Sequence, residues 1–176
     1  MSTCPKQDPD AVTRPAGREA LFARLAALGI ASVTVEHEPV FTVEQSAGLR
    51  ARLPGTHTKN LFLTDKDGRL VLVVAKDDTR VDLKALAKRL GAGRFSFGKA
   101  ELLQAVLGVP PGSVTPFALI NASAAAVEVV VDQALMEFAE LNCHPLENTA
   151  TTRLATADLL RFIEACGHSP RILPLG

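Results

Sequence analysis

The 176-residue sequence carries 19 basic and 19 acidic side chains, so its formal net charge is zero. That balance argues against a general nucleic-acid binder, including a stable DNA binder, whose affinity would come from phosphate neutralisation. With 47% hydrophobic and 22% charged residues, the composition is that of a globular domain able to bury a core without disulfides or metals.

Cysteine usage and hydropathy indicate a reduced, aqueous compartment. Cys4, Cys143 and Cys166 form neither an even set nor a CxxC pair, so a disulfide framework or a cysteine zinc site is not expected. No apolar run reaches the roughly 18 residues of a membrane span. We therefore predict a cytoplasmic protein without a membrane partner, and the sequence leaves its oligomeric state open, with a homodimer as one option.

Hydrophobic periodicity predicts the elements of the chain, each bounded by turn or cap signals. In chain order they are helix 15–28, strand 33–36, helix 42–50, loop 53–58, strands 60–64 and 69–75, helices 82–90 and 99–107, loop 110–116, strands 117–120, 127–131, 138–142 and 149–154, and helix 157–165. Thr42 with Gln45 forms a capping box, while Asp82 and Thr156 are predicted N-caps.

The order of these elements predicts the fold class. Strands come in hairpins and clusters with helices between them, rather than in strict strand–helix alternation. An α+β domain with a mixed sheet flanked by helices is therefore expected. We predict an N-terminal extension over residues 1–15 and a single domain over 16–176.

Three motif-like patterns are rejected on their residue types or spacing. Residues 93–99 match GxxxxGK, but Ala100 stands where a phosphate-binding loop needs a hydroxyl. Cys143 and His144 adjoin, yet neighbours on a strand point to opposite faces, so Cys143 is predicted to be a core residue. The histidines show no HxxxH or HExxH spacing, so we expect no metal and no cofactor.

A basic stripe is the one feature compatible with phosphate contact. Arg80, Lys84 and Lys88 recur every four residues and so would share one helix face. A solvated surface is the ordinary interpretation of such a face, and contact with tRNA phosphates is the alternative.

Lys59 would be an ordinary surface lysine at a strand entrance if its neighbours were different. The segments Thr58–Leu63 (TKNLFL), Gly112–Pro116 (GSVTP) and His144–Thr152 (HPLENTATT) occur in this order. Together they resemble the editing-domain family related to the insertion domain of bacterial prolyl-tRNA synthetase. Within it, the sequence is most similar to the freestanding YbaK/ProX-type deacylases that remove alanine from mischarged proline tRNA, over about His37 to Ile163.

The resemblance implies a largely antiparallel sheet and a set of site residues. It gives Lys59 the central role, with Asn60 and His144 lining the catalytic site, and it places the loop from Gly112 to Pro116, including Ser113 and Thr115, over the amino-acid pocket. Val43 and Phe62 are candidate pocket walls. The implied partner is the acceptor end of mischarged proline tRNA.

The same resemblance implies a metal-free mechanism in which the hydroxyl of the terminal ribose helps a water molecule to attack. Lys59 would then hold the tRNA end by charge, and backbone N–H groups of the Gly112 loop would face the carbonyl oxygen. Two alternatives remain at this point: a deacylase of cysteinyl-tRNA(Pro) from the same superfamily, and a nucleic-acid-binding regulator without catalysis.

Overall fold

The computed structural model describes residues 15–39 and 43–176, without the side chains of 43–46. The helices are α1 (Arg18–Ala27), α2 (Val43–Arg52), α3 (Leu83–Leu90), α4 (Ala100–Val106) and α5 (Thr156–Ala165). The strands are β1 (Ser32–Glu36), β2 (Thr56–Thr64), β3 (Leu70–Lys76), β4 (Ser96–Phe97), β5 (Glu128–Asp132), β6 (Glu140–Cys143), β7 (Ala150–Ala155) and β8 (Arg171–Leu173). Short 3-10 helices span Pro116–Ile120, Ala122–Ala124 and Gln133–Glu137.

The strands form one mixed sheet in the order β1-β7-β6-β2-β3-β5-β8, and β4 pairs with β2 outside that path. Antiparallel pairing joins β1 to β7, β7 to β6, and β2 to both β3 and β4. The β2–β6, β3–β5 and β5–β8 pairs are parallel. The predicted α+β fold with a mixed, largely antiparallel sheet flanked by helices is therefore confirmed.

The two faces of the sheet carry separate cores, because successive side chains of a strand point to opposite sides. On what we call the α5 face, strand residues pack with α1, α4 and α5: Phe62, Leu72, Val74, Val129, Val131 and Leu141. On the α3 face, strand residues pack against α3: Leu63, Val71, Val73, Ala75 and Val130. This alternation fixes which face each residue of β2 presents.

Several predicted boundaries are confirmed by their local chemistry. The Asp82 carboxylate caps α3 by accepting from the Ala85 N–H at 3.0 Å, and Gly91 ends the helix with φ of 64°. Residues 65–69 connect β2 to β3, and the Asp65 carboxylate accepts from the backbone N–H groups of Asp67 and Arg69, each at 3.0 Å. Among the described residues, no helix is long and apolar enough to cross a membrane.

Other predicted elements are wrong. Residues 117–120 belong to a 3-10 helix rather than a strand, because Pro116 opens it and the Thr115 hydroxyl caps it. A short buried apolar run cannot reveal its own period. Thr156 is the first residue of α5 and makes no cap bond; its hydroxyl donates to the Phe138 carbonyl at 2.7 Å instead. The capping residue Thr42 lies outside the described residues.

The largest boundary error concerns β2, which begins at Thr56 and not at residue 60. The predicted loop 53–58 therefore ends within a strand whose first residues are polar and lack the hydrophobic alternation. The strands β4 and β8 were also missed, since they span only Ser96–Phe97 and Arg171–Leu173. As predicted, a helix and not a strand precedes the GxxxxGK segment.

Candidate active site

One edge of β2 changes partner part-way along the strand. The other edge pairs with β3 from Thr58 to Thr64. On this edge, β6 pairs at Thr56 and His57, and β4 pairs only at Leu63 and Thr64. No strand among the described residues pairs with the edge of residues 59–61 between them, and we call this stretch the sheet gap.

Asn60 presents unpaired polar groups at the sheet gap. The His57 carbonyl accepts from Asp77 N–H on the β3 side, and the Phe62 carbonyl accepts from Gly98 N–H on the opposite side. Because backbone groups alternate between the two edges of a strand, the Asn60 N–H and C=O face the gap. The Asn60 side-chain Oδ1 is also buried without a hydrogen-bond partner. Such unsatisfied groups are rare in folded proteins, so each requires an explanation, and a bound substrate would supply the missing partner.

Lys59 lies inside β2, opposite Ala75 of β3, and not at the strand entrance as predicted. Its side chain shares the α3 face with Leu61 and Leu63, so Lys59 and Asn60 flank the gap from opposite faces of the sheet. The Lys59 side chain is partly buried. Its ammonium forms no ion pair with a described residue, but its charge acts on the Asp78 carboxylate, whose pKa is lowered mainly by the hydrogen bond from Lys76 and further by Lys59.

His144 follows β6 and is held in one tautomer. Its Nδ1 lies 3.2 Å from the Ala150 carbonyl, which can only accept, so Nδ1 carries the proton and Nε2 keeps its lone pair. Burial lowers the pKa of His144, an effect that this hydrogen bond only partly opposes. The imidazole is therefore neutral at pH 7 and can accept a hydrogen bond from a substrate or a water molecule.

A second histidine stands beside His144 across β7. The His37 Nε2 lies 2.8 Å from the Thr151 hydroxyl, and its Nδ1 lies 2.7 Å from the Glu38 carbonyl. Thr152 pairs with Cys143, so Thr151 is the neighbour of His144 in the register. No group of three or more metal-ligating side chains occurs within residues 15–39 and 43–176.

The segment after His144 has an unusual backbone. Leu146 has φ of 70°, a left-handed conformation that costs energy for a residue with a side chain. The next residue, Glu147, forms an ion pair with Arg18 of α1, and Arg18 also bonds Glu36 of β1 at 2.7 Å. These interactions tie the His144 segment to two other elements and hold the strained turn.

The predicted pocket loop is built as a turn followed by a helix cap. The Ser113 N–H donates to the Pro110 carbonyl at 3.2 Å, and the Thr115 hydroxyl accepts from the Phe117 N–H at 3.3 Å. Ser113, Thr115 and Pro116 are all buried. The Ser113 N–H is therefore already hydrogen-bonded within the loop, and the role of the loop's N–H groups toward the carbonyl oxygen stays a prediction.

Gly112 joins this loop to the His144 segment. Its φ of 89° favours glycine, and a side-chain carbon there would lie 4.0 Å from the Asn148 amide nitrogen. Two of the three segments that carry the resemblance therefore meet at Gly112 and Asn148.

The two predicted pocket walls have different outcomes. Phe62 is 3% exposed and packs in the core of the α5 face, where a carbon added to Gly98 would lie 2.6 Å from its ring. Val43 begins α2, and its side chain lies outside the described residues.

The basic stripe is shorter than predicted. Arg80 lies before the N-cap Asp82, so it is not part of α3. Lys84 and Lys88 lie one turn apart on that helix, and all three basic side chains are exposed. Only Lys84 and Lys88 share a helix face.

His57 and Asn142 are further candidate site residues, which the sequence interpretation did not select. They pair across the parallel β2 and β6 strands, and the His57 Nε2 and the Asn142 Oδ1 are both buried without a partner. Burial lowers the pKa of His57, and the charge of Asp77 partly offsets this. Extending the predicted strand back to Thr56 would have placed His57 on the same face as Lys59.

Cys143 behaves as predicted for a core residue. It is 3% exposed, and its Sγ lies 3.4 Å from the Thr58 hydroxyl. Burial raises the pKa of the Cys143 thiol to about 12. At neutral pH it is therefore a thiol and not a nucleophilic thiolate.

Comparison with known protein families identifies the family to which this chain belongs. The family described as "Aminoacyl-tRNA editing domain" matches residues 37–162, which include the sheet gap, the Gly112 loop and the His144 segment. The chain belongs to this family. It is an aminoacyl-tRNA deacylase, a hydrolase whose substrate is a tRNA, and the resemblance of the three segments to the editing-domain family is confirmed.

Individual relatives agree over almost the whole chain. A "Prolyl-tRNA synthetase associated domain-containing protein 1" from Danio rerio is 40% identical, covering 89% of this chain and 86% of its own. The "Prolyl-tRNA editing protein ProX" from Acetoanaerobium sticklandii is 36% identical over 90% of this chain and 97% of its own. The crystal structure of a candidate trans-editing enzyme for prolyl tRNA synthetase superposes with a TM-score of 0.68 at 20% identity, covering 90% and 94% of the two chains.

Proposed function

We propose that this editing domain hydrolyses alanine from mischarged proline tRNA. Support comes from the relative named as a prolyl-tRNA editing protein, which the chain covers almost completely. The observation that carries the proposal is the sheet gap, where Lys59 offers an ammonium that is in no ion pair with a described residue and Asn60 offers unpaired polar groups. We also propose that residues 16–176 form the editing domain and that 1–15 are an extension of it.

The proposal assigns a role in substrate binding or hydrolysis to each of three residues of the site. Lys59 binds the anionic end of the tRNA by charge, and Asn60 orients the aminoacyl ester through its backbone N–H and its unpaired Oδ1. The neutral His144 accepts a hydrogen bond from the ribose or from the attacking water. The ester is already activated, so the terminal ribose hydroxyl can assist the water without a metal.

The choice of alanine over proline would rest on exclusion. A pocket built for a larger residue discriminates against a smaller one by only about 1–3 kcal/mol for each missing methylene. Here the residue to be rejected, proline, is the larger one, so the pocket has to be too small to admit it. The rigid loop from Gly112 to Pro116, held by its internal turn and cap, is suited to such steric exclusion. Exchange of Gly112 for a larger residue would move this wall, because its positive φ strains any side chain.

The test is single-turnover deacylation of a panel of charged tRNAs by the purified chain. Alanyl-tRNA(Pro) should be hydrolysed fastest, prolyl-tRNA(Pro) should be spared, and excess EDTA should leave the rate unchanged at constant tRNA folding. Faster hydrolysis of cysteinyl-tRNA(Pro) would move the assignment to the sister activity. Binding of tRNA without hydrolysis of any ester would overturn the proposal.

A further inference from the structure

Phe97 is the most exposed large apolar side chain among the described residues. It is 62% exposed on β4, compared with 36% for Phe138 and 42% for Ile172. Neither core cluster includes Phe97, so its exposed ring contributes no stabilisation through burial in a core.

The fold fixes Phe97 in place although its ring is free. The Asp65 carboxylate accepts from the Gly93 N–H at 3.0 Å, and the Gly98 N–H donates to the Phe62 carbonyl at 2.9 Å. Phe95, two residues earlier, is 6% exposed and anchors the same segment in the α3-face core. The exposed ring is therefore presented on a rigid support.

The position of Phe97 relates it to the sheet gap. Phe97 pairs with Leu63, and paired residues share a face, so its ring lies on the same face as Lys59. Leu63 lies four positions after Lys59 on β2, which is about 13 Å at roughly 3.3 Å per residue. β4 is also the strand that closes the gap at that end.

The surrounding charge is complementary to a nucleic acid. From Leu83 to Ala100 the sequence has no acidic residue and five basic ones: Lys84, Lys88, Arg89, Arg94 and Lys99. Arg94 and Lys99 flank β4, are exposed, and form no ion pair with any described residue. An exposed aromatic ring between free cations is the arrangement that binds single-stranded nucleic acid, because bases stack on the ring while the cations meet phosphates.

We propose that Phe97 is a stacking platform for an unpaired nucleobase of the tRNA 3′ end, with Arg94 and Lys99 contacting the adjacent phosphates. This rests on the proposed deacylase function. The platform would direct the single strand along β2 from Phe97 towards the ester at Lys59 and Asn60.

The test compares two labelled RNA minihelices of the proline acceptor stem, one with its unpaired 3′ nucleotides and one without. Phe97→Ala and Phe97→Leu should weaken binding of the tailed RNA by about 5- to 150-fold, the range for one base stacked on an aromatic ring. Both should bind the blunt RNA as the wild type does, and Phe97→Trp should restore the tailed complex. Phe138→Ala, another exposed phenylalanine, is the matched control and should change neither affinity.

Deacylation by the same variants separates this inference from the proposed function. Phe97→Ala should raise KM for charged tRNA and leave kcat within about threefold, an effect below about 1 kcal/mol. If the wild type deacylates and Phe97→Ala binds both RNAs with the affinity of the wild type, the proposed stacking role of Phe97 is wrong and the proposed deacylase function is unaffected. A change in sedimentation of Phe97→Ala without a change in RNA affinity would assign the ring to a protein interface instead.

Discussion

The two halves of β2 share one partner strand, β3, but differ in what surrounds them. In the second half, Phe62 and Leu63 are 3% and 0% exposed and fill the two cores on opposite faces. In the first half, Lys59 carries a charge that is in no ion pair with a described residue, and the partly buried His57 and Asn60 each have a side-chain atom without a hydrogen-bond partner. One end of the strand thus stabilises the fold, and the other end presents polar and charged groups that can bind a substrate.

The largest effect should come from the buried half. Leu63→Ala is expected to lower the free energy of unfolding by about 2–5 kcal/mol, because the removed methylene groups leave a cavity in a packed core. Urea unfolding followed by circular dichroism measures it. A decrease below about 1 kcal/mol would show that this half does not support the fold.

Asn60→Ala should act in the opposite way. It removes a buried oxygen that has no partner, so the free energy of unfolding should change by less than about 1 kcal/mol. Deacylation should fall about 100-fold, the usual effect of losing one positioned polar group at a reacting centre. Unfolding and single-turnover rates measured on the same preparation test both statements. A strongly destabilised but fully active variant would reverse the comparison.

The basic residues beyond β3 should contribute less. Lys84→Ala with Lys88→Ala should raise KM for charged tRNA several-fold and reduce the slope of log affinity against log salt by about 0.7–0.9 for each phosphate that is no longer neutralised. Arg80→Ala is the matched control for a basic residue outside the helix. Equal salt slopes for wild type and double variant would return Lys84 and Lys88 to ordinary solvated surface.

The smallest effect should be on stability as the pH falls. Burial lowers the pKa of both His57 and His144 in the folded state, so the unfolded chain binds protons first as the pH drops through about 6.5. Stability should therefore be highest above that value and decline below it. His57→Gln should flatten this decline. A free energy of unfolding that rises on acidification from about pH 7 to about pH 5.5 would contradict the assigned direction.

The sequence predicts the fold correctly where an element's boundary is determined by its own local residues. The cap at Asp82, the stop at Gly91 and the turn at 65–68 each carry their own signal. The sequence-based prediction was wrong where the location of an element depends on residues distant in the chain. The short strands β4 and β8 are defined by their partners, and Pro116 converts an apolar run into a 3-10 helix.

The candidate site was only partly accessible to the same reasoning. Resemblance selected Lys59, Asn60 and His144, but the first residues of β2 are polar and were assigned to a loop. That error hid His57, which shares a face with Lys59 two residues later. The sheet gap depends on where β6 ends and β4 begins, and no local pattern encodes it.

The most direct test of the division within β2 is single-turnover deacylation of alanyl-tRNA(Pro) by Lys59→Ala, with unfolding measured in parallel. The ammonium forms no ion pair with any described residue, so the free energy of unfolding should change by less than about 0.5 kcal/mol. Removal of a positioned charge should slow deacylation by about 30- to 1,000-fold, or about 2–4 kcal/mol. Lys59→Arg should restore it only in part, because a planar guanidinium cannot replace a compact ammonium. A folded Lys59→Ala within about threefold of the wild-type rate would contradict the account.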